Sequence, residues 1–258
     1  MDKQIKKALK FFENKDWEKA IDAFSRILEK TEDNPELYNN LALCYSYTGD
    51  VEQAEKFFLK ALDINPKLAE VYINLADFYF KQRNFTDAVN LLEAGVCELP
   101  ENLVIKHYLA RVYMENASLD LAVDELDKIL EAQPENYDAY YDLARIYFEL
   151  GNYDLAIENF ENVLQYKENN EWVYYYLGQA YEANNDIDKA ISNYLKAIAI
   201  NDKFYPAYKK AGVLFLARED YEDAIEYFED YIKFDVPEEE KEAIKKTIER
   251  IKEVRSEK

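Results

Sequence analysis

The segment PELYNNLALCYSYTGDVEQAEKFFLKALDINPKL, residues 35–68, sets a pattern that the rest of the chain repeats. A shift of 34 residues brings it onto residues 69–102, and a second shift brings it onto residues 103–136, without a gap. A fixed period of this length is typical of stacked helical repeats, in which each unit packs only on its neighbours. We number the positions within each repeat from 1 to 34, so that the first repeat is residues 1–34 and the seventh is residues 205–238.

Small residues recur at two positions of every repeat, and large residues recur at two others. Position 20 is Ala in all seven repeats, and position 8 is Ala or Gly throughout. Position 11 is always Phe or Tyr, and position 24 is Phe, Leu or Tyr. The apolar positions follow the i, i+3, i+4, i+7 spacing of amphipathic helices, which predicts one helix near positions 1–14 and another near positions 18–31. The small residues let the two helices approach closely, and the large ones fill the space beside them.

Position 16 lies between the two predicted helices and suits a helix N-cap in every repeat. It is Asp, Asn or Ser throughout. The side-chain oxygens of these residues accept hydrogen bonds from the unpaired backbone N–H groups of a helix start. Position 18 is acidic in six of the seven repeats, and acids in a first turn are favoured by the helix dipole. Part of the acidic excess of the chain is therefore structural and needs no partner to explain it.

These residues carry a family resemblance. A large residue at position 4, Leu at 7, a small residue at 8, Tyr at 11, Ala at 20, an aromatic residue at 24 and Pro at 32 together resemble the tetratricopeptide repeat. The resemblance implies an all-α fold, a right-handed α-solenoid of seven helix-turn-helix repeats that forms one superhelix over residues 1–238. The expected repeats are 1–34, 35–68, 69–102, 103–136, 137–170, 171–204 and 205–238.

The pattern departs from the family only locally. Lys7 replaces Leu in the first repeat, which suits an exposed end, and Lys106 replaces the large residue at position 4 of the fourth. Position 32 is Pro in only three repeats, at Pro66, Pro100 and Pro134. Residues 239–258 follow the last repeat and carry a single apolar stripe of Ile244, Ile248 and Ile251. This stripe predicts a C-terminal capping helix that covers the seventh repeat.

Composition restricts the kind of partner. The chain has 258 residues, and Asp and Glu outnumber Lys and Arg by 53 to 32, for a formal net charge of −21. This balance argues against binding to nucleic acid or to an anionic membrane surface and favours basic or neutral partners. No apolar run approaches the ~20 residues that span a bilayer, so we expect no membrane insertion and a cytoplasmic location. Cys44 and Cys97 are too few for a disulfide framework, and position 10 predicts that Cys44 is buried.

Catalytic chemistry is not predicted. The chain has no phosphate-binding glycine loop, no HExxH, no CxxC pair and no nucleophile elbow. His107 is the one histidine, so any histidine base or zinc site would depend on it alone. We therefore expect no enzyme activity, no catalytic residue, no metal site and no cofactor.

The resemblance also implies a binding surface. In the tetratricopeptide fold the first helices line a concave groove, and positions 2, 5, 6, 9, 12 and 13 face a bound peptide. Carried over to this sequence, those positions give the candidate peptide-binding residues Asn39, Asn40, Asn74, Asp77, His107, Tyr108, Arg111, Tyr141, Asp142, Arg145, Trp172, Tyr175, Tyr176 and Gln179. Lys209 and Lys210 occupy positions 5 and 6 of the seventh repeat. Asn can bond a peptide backbone, Arg can grip a carboxylate, and aromatic residues are frequent hot spots.

A structural explanation of the same residues competes with the binding one. Arg111 and Asp142 occupy adjacent repeats and could pair with each other, and Asp142 and Arg145 form an i, i+3 pair. The carboxylate clamp of the chaperone-binding members of the family is not matched by any three successive repeats. Asn40 and Asn74 resemble the start of the asparagine ladder of the long glycosyltransferase superhelices, but Tyr108 ends it.

Three functional hypotheses remain. The leading one is a protein–protein interaction module that holds an extended peptide segment of a partner protein in its concave groove. The second is a scaffold that assembles with itself, in which an open end or the groove of one copy receives another. The third is that the chain is the repeat domain of a larger multidomain protein.

Overall fold

A computed structural model describes residues 2–31 and 33–257. Over these residues the chain forms fifteen α-helices and contains no strand. The predicted all-α repeat class is therefore confirmed. The helices are α1 (Asp2–Glu13), α2 (Trp17–Leu28), α3 (Pro35–Thr48), α4 (Val51–Ile64), α5 (Ala69–Lys81), α6 (Phe85–Glu98), α7 (Leu103–Glu115), α8 (Leu119–Ala132), α9 (Tyr137–Glu149), α10 (Tyr153–Tyr166), α11 (Glu171–Ala183), α12 (Ile187–Ile200), α13 (Tyr205–Ala217), α14 (Tyr221–Tyr231) and α15 (Glu238–Glu257).

The second helix of each repeat begins at position 17, one residue before the predicted start, because position 16 is the capping residue itself. The capping prediction is only partly right. The side chains of Asp50 and Asp186 each accept a hydrogen bond from a backbone N–H of the first turn at 3.2 Å, and that of Asn84 does so at 3.5 Å. The side chains of Asp16, Asn152 and Asp220 make no such bond, so in those repeats position 16 does not cap through its side chain.

A second set of caps, at position 34, was not predicted from the sequence. An Asn there precedes four of the first helices, and its side-chain oxygen accepts a hydrogen bond from the backbone N–H three residues later. The donor–acceptor pairs are Leu37–Asn34 (3.0 Å), Ile105–Asn102 (3.1 Å), Ala139–Asn136 (3.0 Å) and Val173–Asn170 (3.3 Å). The recurring Asn is visible in the sequence, and its place just before four of the first helices explains it.

The turn between the two helices of each repeat has one residue in the left-handed region, always at position 15. In two repeats that residue is Gly, at Gly49 (φ 81°) and Gly151 (φ 74°). In the other five it carries a side chain, at Lys15, Arg83, Ala117, Asn185 and Glu219, with φ between 57° and 62°. Left-handed backbone is costly for most residues with a β-carbon but is tolerated by Asn, so four of the seven turns adopt it against the preference of their residue type, at Lys15, Arg83, Ala117 and Glu219.

The chain divides into two compact units, Met1–Ala132 and Gln133–Lys258. In each unit the helices pack in chain order, so that the second helix of one repeat contacts the first helix of the next. In the first unit α3 also contacts α5, and α5 contacts α7. Each of these first helices therefore has the first helix of a neighbouring repeat at its side.

The core follows the repeat positions predicted for it. All seven Ala residues at position 20 are completely buried. The large residues at position 24 are buried with them, and Phe24, Phe58, Phe160 and Tyr194 are among the largest fully buried side chains. Cys44 is buried as predicted. The repeat positions therefore identify the core side chains correctly.

Tyrosines at position 11 connect neighbouring repeats through hydrogen bonds. The hydroxyl of Tyr113 donates to Glu93 on the second helix of the preceding repeat, at 2.6 Å, and the hydroxyl of Tyr181 donates to Glu161 in the same way, at 2.8 Å. Burial is the first cause that raises the pKa of Tyr181 to about 12, and the bond to Glu161 is the second. These pairs add polar contacts to the apolar packing between repeats.

Helix α15 covers the last repeat. Ile244, Ile248 and Ile251 are buried, and they share a core cluster with Phe228 and Tyr231 of α14. The remaining face of α15 is charged and exposed. The apolar stripe seen in the sequence is thus the packed side of this helix.

Candidate functional site

Some of the predicted binding residues in the first unit are engaged within the protein. Asn39 is only 2% exposed, its side-chain N–H lies 3.5 Å from Glu70, and its oxygen accepts from Asn74 at 3.0 Å. Asn40 is half-buried, and Asp77 is exposed and pairs with Lys81 one turn along the helix. The polar side-chain atoms of Asn39 are thus hydrogen-bonded to the neighbouring repeat, which supports the structural explanation for this residue.

The predicted residues of the fourth repeat lie on one stretch of α7. His107 and Tyr108 are half-buried, and Arg111 is exposed one turn later. The sequence suggests that Arg111 could pair with Asp142 of the next repeat. Arg111 belongs to the first compact unit and Asp142 to the second.

The predicted residues of the second unit begin on α9. Asp142 is 6% exposed, and one of its oxygens lies 3.6 Å from a guanidinium nitrogen of the exposed Arg145. This is the i, i+3 pair expected from the sequence. Tyr141 is half-buried beside them, and burial together with the neighbouring Tyr176 raises its pKa to about 12.

Aromatic side chains from α9, α10 and α11 form a continuous cluster in the second unit. The ring of Tyr176 stacks on Phe160 with a centroid distance of 6.0 Å, and Tyr141 meets both rings edge-on. Trp172 stacks on Tyr176, also at 6.0 Å, and contacts Tyr175 and Phe204 at its edges. Trp172 nevertheless leaves 47% of its surface exposed. The cluster is packed at its base and open at Trp172.

Polar bonds fix the side chains beside this cluster. The hydroxyl of Tyr194 donates to Glu182 at 2.6 Å, and the ammonium of Lys210 reaches both oxygens of Glu182, at 3.0 and 3.1 Å. The side-chain N–H of Gln179 lies 3.4 Å from the hydroxyl of Tyr175. Tyr175 and Gln179 are therefore brought together, one helical turn apart, as their repeat positions predict.

A cleft of about 390 Å³ opens next to the cluster, between α11, α13, α14 and α15. Its lining residues are Tyr175, Tyr205, Pro206, Lys209, Lys210, Val213, Tyr231 and Glu240. Tyr205 and Val213 are unusually exposed for large apolar residues, at 44% and 43%. The ammonium of Lys209 bonds to the carboxylate of Glu240, which also accepts from Tyr231. The Lys209 bond and then the Tyr231 bond lower the pKa of Glu240.

The cleft was only partly predicted from the sequence. Tyr175, Lys209 and Lys210 occupy the groove positions that the resemblance marks, but Tyr205 at position 1 and Tyr231 at position 27 do not. Glu240 lies beyond the last repeat, where the repeat pattern says nothing. Both cleft lysines are paired with carboxylates, so the cleft presents apolar and aromatic surface with little net charge.

We found neither a metal cluster nor a membrane-spanning helix in the part of the chain that the structure describes. Across residues 2–31 and 33–257, no group of three or more His, Cys, Asp or Glu side chains could hold a metal ion. In the same residues no helix is both long and apolar enough to cross a bilayer.

Family comparisons agree with the geometry. Models described as tetratricopeptide repeat match residues 35–68, 57–90, 79–135, 125–158 and 172–204, and one described as TPR repeat matches residues 144–185. Together they run without a break from residue 35 to residue 204, which is more than half of the chain. Among curated protein sequences there is no match.

Solved structures share the fold at low sequence identity. The C-terminal part of a TPR repeat-containing protein from Cytophaga hutchinsonii is 19% identical, with a TM-score of 0.75, covering 89% of this chain and 95% of that one. A tetratricopeptide repeat protein from Parabacteroides merdae is 20% identical, with a TM-score of 0.66 and coverage of 97% and 98%. YrrB, described as a TPR protein with an unusual peptide-binding site, is 23% identical, with a TM-score of 0.58 and coverage of 73% and 97%. With its repeat pattern, its paired helices and these matches, the chain belongs to the tetratricopeptide repeat family.

Proposed function

We propose that the chain is a protein-interaction scaffold that binds an extended segment of a partner protein at the cleft of its second unit. The observation that carries the proposal is the exposed apolar surface of Tyr205 and Val213, which lies in a concave site beside the open edge of Trp172. Exposed apolar surface in a concavity is the usual mark of a binding site on a soluble domain. The tetratricopeptide fold supports an interaction scaffold, and its members are generally not catalytic.

The cleft favours one kind of segment. Its walls are rings and aliphatic side chains, so an apolar side chain of the partner would bury its surface between Tyr175, Tyr205 and Val213. Lys209 and Lys210 are already paired with Glu240 and Glu182, so an acidic anchor would have to displace an existing partner. The net charge of −21 adds a preference for neutral or basic flanks. We therefore expect an apolar anchor residue with neutral or basic neighbours.

The test is a peptide-display selection against the whole chain, followed by calorimetry with the selected peptides. Val213→Glu places a charge inside the cleft, and we expect it to weaken binding at least about tenfold, because an apolar anchor would then have to bury a carboxylate. Val104→Glu is the matched control, since Val104 is 55% exposed and lies in the first unit. The control should bind as the parent chain does. Equal affinity of the Val213→Glu variant would place the binding site elsewhere.

The other predicted residues are tested with the same peptides. Arg145 is exposed on α9 and does not line the cleft. If the bound segment extends from the cleft along the first helices of the second unit, Arg145→Ala will weaken binding as well. If Arg145→Ala binds normally, the site is confined to the cleft.

A further inference from the structure

The helix face formed by positions 3, 7 and 10 is charged in α1 and apolar in every other first helix. In the second to seventh repeats, positions 3, 7 and 10 are always apolar, and none of these side chains is more than 6% exposed. Within each compact unit, the first helix of a repeat packs against the second helix of the repeat before it, and this contact buries these positions. In the first repeat the same three positions are Lys3, Lys7 and Lys10, and all three are exposed.

These three lysines carry uncompensated charge. None of them forms an ion pair with any residue among 2–31 and 33–257, whereas Lys19, Lys60, Lys81 and Lys128 each pair with an acid three or four residues away. Lys7 only lies over the ring of Phe11, at 5.6 Å. A helix face that met only water could carry any polar residue, including Asp and Glu, which outnumber Lys and Arg in this chain. A face with lysine at positions 3, 7 and 10 instead matches the charge of an acidic helix.

An exposed acidic face of matching spacing is present on α8 in the same unit. Asp120, Asp124, Asp127 and Glu131 are all exposed, and intervals of four, three and four residues place them on one side of the helix. None of them forms an ion pair with a described residue. Burial and the like charges of Asp124 and Glu131 raise the pKa of Asp127.

We propose that α1 docks on α8 of a second copy of this chain, with Lys3, Lys7 and Lys10 facing Asp120, Asp124 and Asp127. The lysine intervals are four and three residues, as are those of the first three acids, so both sets span about 10 Å of helix. The partner helix thereby takes the place that a preceding repeat's second helix holds in the other repeats. Helices α1 and α8 both belong to the first unit, whereas the peptide cleft is lined by residues of the second.

The two surfaces are different, so the contact is heterologous. Two copies can exchange both contacts and close into a dimer, or each can leave one surface free and add further copies. In either case the association depends on charge. Raising the salt from about 0.1 M to about 1 M shortens the Debye length from ~10 Å to ~3 Å and should separate the copies.

The experiment is light scattering of the whole chain over a range of protein concentrations and at both salt concentrations. We expect the mass to rise with concentration at low salt and to stay monomeric at high salt. The variant Lys3→Glu/Lys7→Glu/Lys10→Glu should be monomeric at both. The control Lys30→Glu/Lys67→Glu/Lys203→Glu makes the same charge change at exposed lysines that form no ion pair with the described residues, and it should associate like the parent chain.

A charge exchange tests the pairing itself. The variant Asp120→Lys/Asp124→Lys/Asp127→Lys should be monomeric alone, and so should the lysine-to-glutamate variant. Mixed together they should form a heteromeric complex, because each supplies the charge that the other has lost. A parent chain that stays monomeric at low salt overturns the proposal. So does a control variant that also dissociates, or a mixture of the two monomeric variants that fails to associate. All the substituted side chains are exposed, and circular dichroism verifies that each variant is folded.

Discussion

Gly178 and Tyr194 are packed so closely that no side chain fits between them. A β-carbon added to Gly178 would lie 2.7 Å from Cε1 and 2.8 Å from Cδ1 of the Tyr194 ring. Tyr194 is completely buried and is held by its bond to Glu182, so the ring cannot move aside easily. In this repeat the absence of a β-carbon at position 8 leaves room for the ring of Tyr194, whereas the first, second and fifth repeats combine Ala with Phe at the same two positions.

We predict that Gly178→Ala destabilises the chain by about 1–3 kcal/mol through overpacking, measured by urea unfolding. The double variant Gly178→Ala/Tyr194→Leu should recover much of this loss, because Ala110 and Leu126 form the same pair in the fourth repeat. A Gly178→Ala variant as stable as the parent chain would show that the ring can shift without cost.

The turns between paired helices give two predictions of opposite sign. Gly151→Ala should lose about 1 kcal/mol, because its φ of 74° is unfavourable for a residue with a β-carbon although no atom obstructs one there. Ala117→Gly should gain up to about 1 kcal/mol, since Ala117 already has a φ of 57°. Thermal unfolding of both variants measures the effect. Shifts of the same sign would mean that the turn conformation is not what limits stability.

Two matched variants separate the effect of losing an Asn cap at position 34 from the effect of replacing an Asn that does not cap. Asn136→Ala removes the acceptor for the backbone N–H of Ala139 and should cost about 1 kcal/mol. Asn152→Ala changes a residue that makes no side-chain cap bond in the same unit, and it should cost less. Denaturant unfolding of the two variants compares them directly, and equal losses would argue against the cap.

The Tyr181–Glu161 bond predicts a loss of stability at alkaline pH. The ordinary pKa of tyrosine is 10.0, and in the folded chain that of Tyr181 is about 12. Between these values the unfolded chain has lost the phenolic proton and the folded chain still holds it, so the free energy of unfolding falls as pH rises. Tyr181→Phe should make this fall shallower in denaturant unfolding across that range. Tyr166→Phe removes the hydroxyl of a residue that is 49% exposed and is the control variant.

Much of the fold can be predicted from the sequence because the same pattern occurs in seven repeats, so the role of each position is inferred from several examples. Ala at position 20 in every repeat predicts the closest approach of the paired helices, and all seven residues are buried. The same reasoning does not predict which position-16 residues cap, because Asp50 and Asp220 are alike in type and only Asp50 makes the bond. Bond formation there depends on the local backbone and on side-chain rotamers, which residue type alone does not set.

The candidate site was harder to predict, and two residues show why. Asn39 occupies a groove position, but Asn74 of the next repeat and Glu70 lie against its amide, and only three-dimensional contacts reveal that competition. Glu240 reaches the cleft from the capping helix, to which the 34-residue period does not apply. Repeat positions thus predict the direction of a side chain better than they predict its neighbours.

Contacts between successive helices also bear on how the chain is made. Because each described helix packs mainly on those next to it in sequence, few contacts join distant parts of either unit. Such low contact order favours fast folding. A hairpin emerging from the ribosome finds its docking surface already synthesised, and it can fold onto it before the next hairpin appears. Helix α15 emerges after α14, so the apolar face that it covers stays open until α15 has been synthesised.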